Sequence, residues 1–463
     1  MRQERWMRAA AALALALATG CGFSRAPNVV LVSIDTLRAD HLGSYGYARD
    51  TSPEIDRLAA QGVRYAHAYA AASWTLPSHV SLFTSQLPSR HGVRDDRNAL
   101  SPQATTLAKL LSAAGYSTAG FVSWVYVGAA YGLGQGFDVY RELVDRAHYE
   151  PASGGGAAPA AQVVDAALAW LASKPARPFF LFVHLFDPHL DYAPPAPYDS
   201  MFGGDPAAAD GRYATLSRYI PYLGKPVPAI PDAVRERVTS LYDGEIRYAD
   251  TELGRLLRAL DALGEESLVV FVSDHGEEFG EHGSLEGHGW TLYEEVLHVP
   301  LVLRLPRGEQ AGRVVDAPVS LIDVAPTVLD ALGLPAPPEF EGRSLLGLAR
   351  GDEAPRGRLL FAQIDRAGAR LRAVRGDHWK RIEVRDAGAA TLGLPVREGE
   401  LLFDLDADPG EQRDLSGRNE LVSRYLSAAL AAAEASGAQA PAPVAATLSP
   451  EDRERLRALG YAQ

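Results

Sequence analysis

The chain has a single cysteine, Cys21, among its 463 residues, so no disulfide can form within it. Basic residues are outnumbered: 45 Lys and Arg stand against 58 Asp and Glu, a formal net charge of -13. That balance argues against a general nucleic-acid binder, which would carry a basic face. An anionic substrate must then be held by a local positive site, such as a metal ion, rather than by the overall field. No run past Cys21 is apolar and long enough to span a bilayer, and there is no internal repeat. What remains is an ordinary globular composition, 47% hydrophobic and 22% charged. Its length suits one large α/β domain with a smaller one beside it.

The N-terminus carries Arg2, Arg5 and Arg8, then an unbroken Ala/Leu run over 9–18. The run is too short for a membrane-spanning helix and reads as a secretory h-region. Its end, Ala18-Thr19-Gly20-Cys21, resembles the bacterial lipoprotein signal, in which the cysteine becomes the lipidated first residue. Residues 1–20 would then be a signal peptide, and the mature chain would sit outside the cytoplasm with Cys21 as its only membrane attachment. The plainer alternative is a secreted protein that loses its one cysteine with the signal.

Three strongly apolar runs follow, over 28–34, 179–186 and 268–273. Such runs suit central strands of a parallel sheet covered on both faces. Each ends in metal-type side chains: Asp35, then Asp187 with His189, then Asp274 with His275. Ligands in doubly wound sheets bind beyond the carboxyl ends of the strands, so neighbouring strands would bring these residues to one crevice. A lone aspartate there reads as a turn or cap; three strand ends together point to a site. Two carboxylates and an imidazole suit Zn²⁺ or Mn²⁺, with Ca²⁺ or Mg²⁺ as alternatives.

The stretch Ser73-Trp74-Thr75-Leu76-Pro77-Ser78-His79 supplies what such a site would act with. Pro77 fits the first turn of a helix, and Val80, Leu82 and Phe83 give that helix an apolar face. Thr75 is then at or just before a helix N-terminus, where backbone N–H groups and the dipole favour an anion. A threonine in this place is often only an N-cap. Beside a metal its hydroxyl would have a lowered pKa and become a nucleophile. His189 and His288 would bind nonbridging oxygens, assist the leaving group, or hold a second metal with Asp187; each also has a structural or solvent-exposed reading.

Elsewhere the pattern predicts helices over 105–114, 161–172, 234–263 and 321–332, and strands over 117–122 and 299–305. The Pro-, Tyr- and Ala-rich segment 192–232 reads as an irregular lid or substrate wall, or as a disordered insertion. From 359 onward, short strands over 359–361, 372–374, 380–384 and 401–405 suit a small antiparallel sheet. An Ala/Leu helix over 421–435, a Pro/Ala linker over 438–446 and a final helix capped by Ser449 follow. The expected organisation is a catalytic domain over 27–350, an antiparallel subdomain over 355–415 and a helical tail over 416–463.

Over about 27–415 the chain resembles the sulfatase family of the alkaline-phosphatase-like superfamily. The residues that carry the likeness are Asp35-Thr36-Leu37-Arg38-Ala39-Asp40 after the first strand, Thr75-Leu76-Pro77-Ser78-His79, Arg90-His91-Gly92, Ser273-Asp274-His275-Gly276-Glu277, and Leu402-Phe403-Asp404-Leu405 with Asp408-Pro409. The resemblance implies an α/β/α sandwich with a mostly parallel sheet, and a divalent metal bound by Asp35, Thr75, Asp274 and His275. It also implies substrate binding by His189 and by a basic residue after the Asp-His-Gly loop, which matches His288.

Two departures bear on the chemistry. Thr36 stands where sulfatases commonly have a second aspartate. Thr75 and His79 stand where they have the Cys or Ser and the Arg of Cys/Ser-x-Pro-x-Arg, from which formylglycine is made. A formylglycine hydrate releases sulfate by elimination through its second hydroxyl; a threonine ester lacks that exit and must be cleaved by water. Metal-assisted in-line displacement does this readily at phosphorus. Thr-x-Pro-x-His also resembles the nucleophile motif of the superfamily's phosphodiesterases, with Thr75 and His79 in catalytic positions. Thr-nucleophile phosphoethanolamine and phosphoglycerol transferases share the Asp-His pair.

The expected activity is therefore hydrolysis of phosphate esters, diesters or lipid-like headgroups above all, through a phosphothreonine intermediate. The alternatives are a sulfatase without formylglycine, a headgroup transferase, and a non-catalytic lipoprotein that binds an anionic glycan or lipid.

Overall fold

The computed structural model describes residues 26–143, 157–220, 227–264, 266–352, 358–366, 368–386, 398–435 and 440–453. The expected signal peptide and Cys21 fall outside these residues, as does most of the expected final helix. Eight strands form the large sheet: Asn28–Ile34 (β1), Val63–Tyr69 (β2), Ser117–Val122 (β3), Val139–Glu142 (β4), Phe179–Leu185 (β5), Ser267–Ser273 (β6), His298–Arg304 (β7) and Arg313–Ser320 (β8). Their order is β8-β2-β7-β6-β1-β5-β3-β4. Only β7 runs against the rest, pairing antiparallel with both β2 and β6.

The continuous apolar runs are central for the reason their composition gives. Every residue of β1, β5 and β6 is buried, and successive side chains serve opposite layers. Val29 and Leu31 pack with Leu76, Val80 and Phe83 of helix Thr75–Thr84 (α1). Val30, Val32 and Ile34 pack with Val163 and Val164 of Ala160–Ala172 (α2), and with Val238, Leu241 and Leu253 of Asp232–Ala262 (α3). Helices thus cover both faces, giving the expected α/β/α sandwich.

Strands β2, β4 and β8 were not among the expected elements. They mix polar and apolar residues and lie away from the sheet centre, and β8 carries Pro318 at a register shift on the sheet edge. Leu360–Arg366 (β9), Ala369–Arg375 (β10), Trp379–Arg385 (β11) and Gly399–Asp404 (β12) form the small antiparallel sheet. Helix Glu420–Ala435 (α4) buries Leu426 and Leu430 against Val374 and Leu402 of that sheet. The Pro/Ala stretch read as a linker contains a short strand: Val444 and Ala445 pair with Ala99 and Asn98. Among the described residues, no helix is long and apolar enough to cross a membrane.

Candidate active site

Register brings the strand ends together. Ile34 pairs with Leu185 on one side and with Ser273 on the other. The next residues, Asp35, Phe186 and Asp274, therefore leave the sheet side by side. The turn after β1 is tight: Thr36 has φ 53, and the Tyr242 hydroxyl donates to its carbonyl at 2.7 Å. A left-handed threonine at a strand end stores strain of the kind that collects at functional sites.

Helix α1 points its N-terminus at this crevice. Trp74 is the N-cap and makes no side-chain cap, so Thr75 is the first helical residue rather than a cap. The helix is buried throughout and is tied to the strand ends by the Ser78 hydroxyl, which donates to the Asp274 carbonyl at 2.7 Å. Thr75 Oγ1 lies 3.4 Å from Asp35 Oδ2 and 3.4 Å from His275 Nε2. His275 Nε2 is in turn 3.4 Å from Asp35 Oδ1 and 3.4 Å from Asp274 Oδ2. The His275 Nδ1 hydrogen is directed to the Gly276 carbonyl at 2.9 Å, which leaves the Nε2 lone pair facing the carboxylates.

These residues fit a divalent cation. Asp35, Asp274 and His275 offer one ligand atom each, all within 4.8 Å of one another. Asp35 Oδ1 and both carboxylate oxygens of Asp274 are buried without a hydrogen-bond donor in good geometry among the described residues. Burial raises the Asp35 carboxyl, against the pull of His189, His79 and His288, and raises Asp274 well above its ordinary range, with Asp35 adding to the effect. Burial lowers His275 well below its ordinary range. Two facing buried carboxylates whose oxygens lack a donor among the described residues are what a bound cation would compensate.

The remaining sequence-predicted residues divide. His189 and His288 come to the site, with ring centroids 5.0 Å apart, and His288 lies 4.8 Å from the His275 ring. His79 sits behind Thr75: its Nδ1 is 2.9 Å from the Thr75 carbonyl and 3.3 Å from Asp274 Oδ2, and its Nε2 is 3.0 Å from Ser33 Oγ. Both of its nitrogens are thus engaged within the protein.

Asp187 does not join the histidines. Its Oδ2 accepts the Ala160 N–H at 2.7 Å, at the start of α2, and its carboxyl shares a hydrogen bond with Glu245. The chain turns at Pro188, sending the aspartate toward the helix layer and His189 toward the crevice. Glu286 occupies the place expected for Asp187, within 4.8 Å of His189 and His288.

Three groups have no role assigned from the sequence. His184, hidden inside the apolar run of β5, has Nε2 3.3 Å from Asp35 Oδ2. Glu277, which follows the Asp-His-Gly motif directly, holds His288 Nδ1 at 2.8 Å. Glu286 lies two residues before His288, and that proximity was the available signal. The Arg90-His91-Gly92 motif braces the scaffold instead: Ser81 Oγ meets His91 Nε2 at 3.1 Å, and Arg90 pairs with Glu341 at 3.0 Å.

A family model described as Sulfatase matches residues 27–334. One described as N-sulphoglucosamine sulphohydrolase, C-terminal, matches 280–433. Mouse steryl-sulfatase is 29% identical, over 90% of this chain and 83% of its own length. Human arylsulfatase A is 28% identical, over 89% of this chain and 87% of its own. Among solved structures, the phosphonate monoester hydrolase of Agrobacterium radiobacter superposes with a TM-score of 0.70 at 23% identity, covering 88% of this chain and 95% of that one. With more than half of its length matched by the family model, and a buried carboxylate–imidazole group at the ends of its central strands, the chain belongs to the sulfatase family and is a metal-dependent ester hydrolase.

Proposed function

We propose that the protein cleaves phosphoric or phosphonic esters by attack of Thr75, with sulfuric esters as the second reading. The observation that carries this is the placement of Thr75 Oγ1, first in a buried helix and 3.4 Å from both Asp35 and His275. A divalent cation held by Asp35, Asp274, His275 and Thr75 would neutralise charge on the transferred group and lower the pKa of the threonine hydroxyl. Zn²⁺ or Mn²⁺ suits the mixed oxygen and nitrogen donors.

The protein's own groups do the rest. Thr75 Oγ1 forms the new ester bond, losing its proton toward Asp35, while the free N–H groups at the start of α1 face the nonbridging oxygens. His79 fixes the first turn of the helix through the Thr75 carbonyl. His189 and His288 flank the open side, where the leaving oxygen gains negative charge. Water then cleaves the threonine ester at the transferred centre.

The phosphoryl reading is preferred because a threonine ester has no elimination route to release sulfate. The sulfuryl reading is favoured by the family and by the sulfatase names of its relatives. The deciding experiment is turnover of matched aryl esters (phosphodiester, phosphomonoester, phosphonate and sulfate) before and after chelation, with Mn²⁺ or Zn²⁺ added back. Phosphodiester or phosphonate turnover at least about tenfold above sulfate, lost on chelation and restored by metal, is expected. Sulfate turnover alone would reverse the order of the two readings. Product attached to an added alcohol rather than to water would identify a transferase, and binding without turnover a lipoprotein that only holds anionic glycans or lipids.

We further propose that the mature chain lies outside the cytoplasm and is anchored by lipid at Cys21. The support is the arginine-flanked Ala/Leu run that ends in Ala18-Thr19-Gly20-Cys21. Mass spectrometry of the mature N-terminus should find an acylated Cys21. An unmodified residue after Cys21 at the N-terminus would make it a secreted protein instead.

A further inference from the structure

Ala26, the first described residue, is exposed and lies five positions after Cys21. At about 3.3–3.6 Å per residue, that stretch of chain reaches about 17–18 Å at most. Beyond it there is no slack. The Tyr116 hydroxyl donates to the Pro27 carbonyl at 3.2 Å, and the Asn28 N–H donates to the Glu266 carbonyl at 3.1 Å. Asn28 Oδ1 accepts the Phe179 N–H at 3.2 Å. From Asn28 onward β1 is buried between β5 and β6, so a longer tether would require pulling a central strand out of the sheet.

β1 runs away from that point. Its seven residues span about 20 Å at about 3.3 Å each, and the next residue is Asp35. Ala26 therefore emerges at the amino edge of the sheet, and the crevice lies at the opposite, carboxyl edge. Asp35 and Asp274 are fully buried, so further chain covers the strand ends. Were the crevice turned toward a membrane holding Cys21, Ala26 would stand more than about 20 Å above it. A tether of about 17–18 Å does not reach that far.

The amino edge also has the charge for a lipid surface. It is formed by the segments that lead into β3, β5 and β6, and by the connection between β7 and β8. In sequence, 113–116, 174–177, 263–266 and 305–312 hold Lys174, Arg177 and Arg307 against Glu265, Glu266 and Glu309. Charge balances there, in a chain whose formal net charge is -13. This edge thus escapes the repulsion that anionic headgroups exert on an acidic protein.

We propose that the amino edge rests against the leaflet holding the Cys21 anchor, with the crevice opening away from it. The ester cleaved is then carried by a water-borne molecule rather than by a headgroup of the anchoring leaflet. Attack requires the reacting atoms to come within about 3–3.5 Å, and a phosphorus in that leaflet cannot approach Thr75 Oγ1 so closely. The inference rests on the lipid anchor and narrows the substrate class of the proposed reaction.

The test uses the acylated chain, purified from its membrane and placed in vesicles of phosphatidylethanolamine and phosphatidylglycerol. With Cys21 blocked by its lipid, one introduced cysteine takes a bimane label that a nitroxide on the lipid headgroups quenches on contact. Ala176→Cys and Ala311→Cys mark exposed positions of the amino edge. Met201→Cys and Gln412→Cys mark the crevice side: Met201 is exposed after β5, and the Gln412 side chain donates to the Glu281 carbonyl after β6. Circular dichroism checks folding, and the two positions on each side stand in for one another.

Quenching at residues 176 and 311, with none at 201 or 412, is expected. Equal quenching on both sides, or quenching on the crevice side alone, would overturn the orientation. A soluble aryl phosphodiester is then compared with a phosphodiester displayed on headgroups of the same vesicles. The displayed ester should turn over at least about tenfold more slowly, and equal rates would overturn the inference. Turnover of neither would count against the Thr75 reaction, while quenching, which needs no substrate, still decides the orientation. A native N-terminus without an acylated Cys21 would overturn the anchor and this orientation together, leaving the Thr75 reaction standing.

Discussion

Thr75→Ala is expected to lower turnover of the preferred aryl ester on the order of 10⁵-fold, the scale seen when a catalytic nucleophile is removed. The side chain is small and, among the described residues, its hydroxyl makes long contacts, 3.4 Å to Asp35 and 3.4 Å to His275. Its loss should therefore leave folding nearly unchanged, within about 1 kcal/mol. Thr75→Ser keeps the oxygen at the helix start and should retain measurable turnover. Rapid quench of the unmodified enzyme, followed by peptide mass analysis, should find the transferred group on Thr75. A Thr75→Ala enzyme within about tenfold of the original would mean that water attacks directly. Thr75 would then be a wall of the site rather than its nucleophile.

Lys380→Met is expected to be the most damaging change to stability, about 3–5 kcal/mol, the usual cost of breaking a buried ion pair by removing one partner. Lys380 projects from β11 with 1% of its side chain exposed. Its Nζ lies 3.0 Å from Glu294 Oε1 and 3.0 Å from Glu411 Oε1. Glu411 also accepts the Glu294 backbone N–H at 2.6 Å. Methionine would fill the space but take the ammonium from Glu294, which keeps Arg375, and from Glu411, whose carboxyl burial raises to about 8 even beside the lysine.

The same cluster gives a pH dependence. Burial alone would raise Glu294, but Lys380 and Arg375 bring it from 4.5 down to about 2. A carboxyl held lower in the folded state than in the unfolded chain stabilises the fold fully above the unfolded value. That contribution is lost as pH falls from 4.5 toward 2, and Lys380→Met should flatten this part of the profile. Urea unfolding at pH 7 and pH 3 measures both effects. A loss below about 1 kcal/mol at pH 7 would mean that the carboxylates reach water or take up protons when the lysine is gone.

How legible the site was depended on how local each signal is. Asp35, Asp274 and His275 follow apolar runs directly, and a buried parallel strand can deliver its next residue only to the carboxyl edge of the sheet. Thr75 was legible because Pro77 marks a first helical turn two residues later. Asp187 carried the same local signal and went elsewhere, since the turn at Pro188 and the start of α2 decide its direction, and both are tertiary facts. Glu286 depends on a left-handed backbone within a glycine-rich loop, which no periodicity announces. His184 reads as one polar residue in an apolar strand, and its approach to Asp35 exists only once β1 and β5 pair. For the fold, the central strands were plain, whereas β2 and β8 carry too many polar residues to stand out. That β7 runs antiparallel to both of its neighbours is not announced by its composition.

Arg366, the last residue of β9, reaches out of the small sheet to stack over Trp74 at 5.3 Å and Trp290 at 4.3 Å. Trp74 precedes Thr75, and Trp290 follows His288 by two residues, so a side chain from the final quarter of the polypeptide forms part of the catalytic wall. Synthesis runs from the N-terminus, and β8, the last strand of the large sheet, ends at Ser320, ahead of residue 366. Competence to cleave esters should therefore arrive late and abruptly, when the small sheet docks. Until then, a growing chain would carry its nucleophile without a finished pocket.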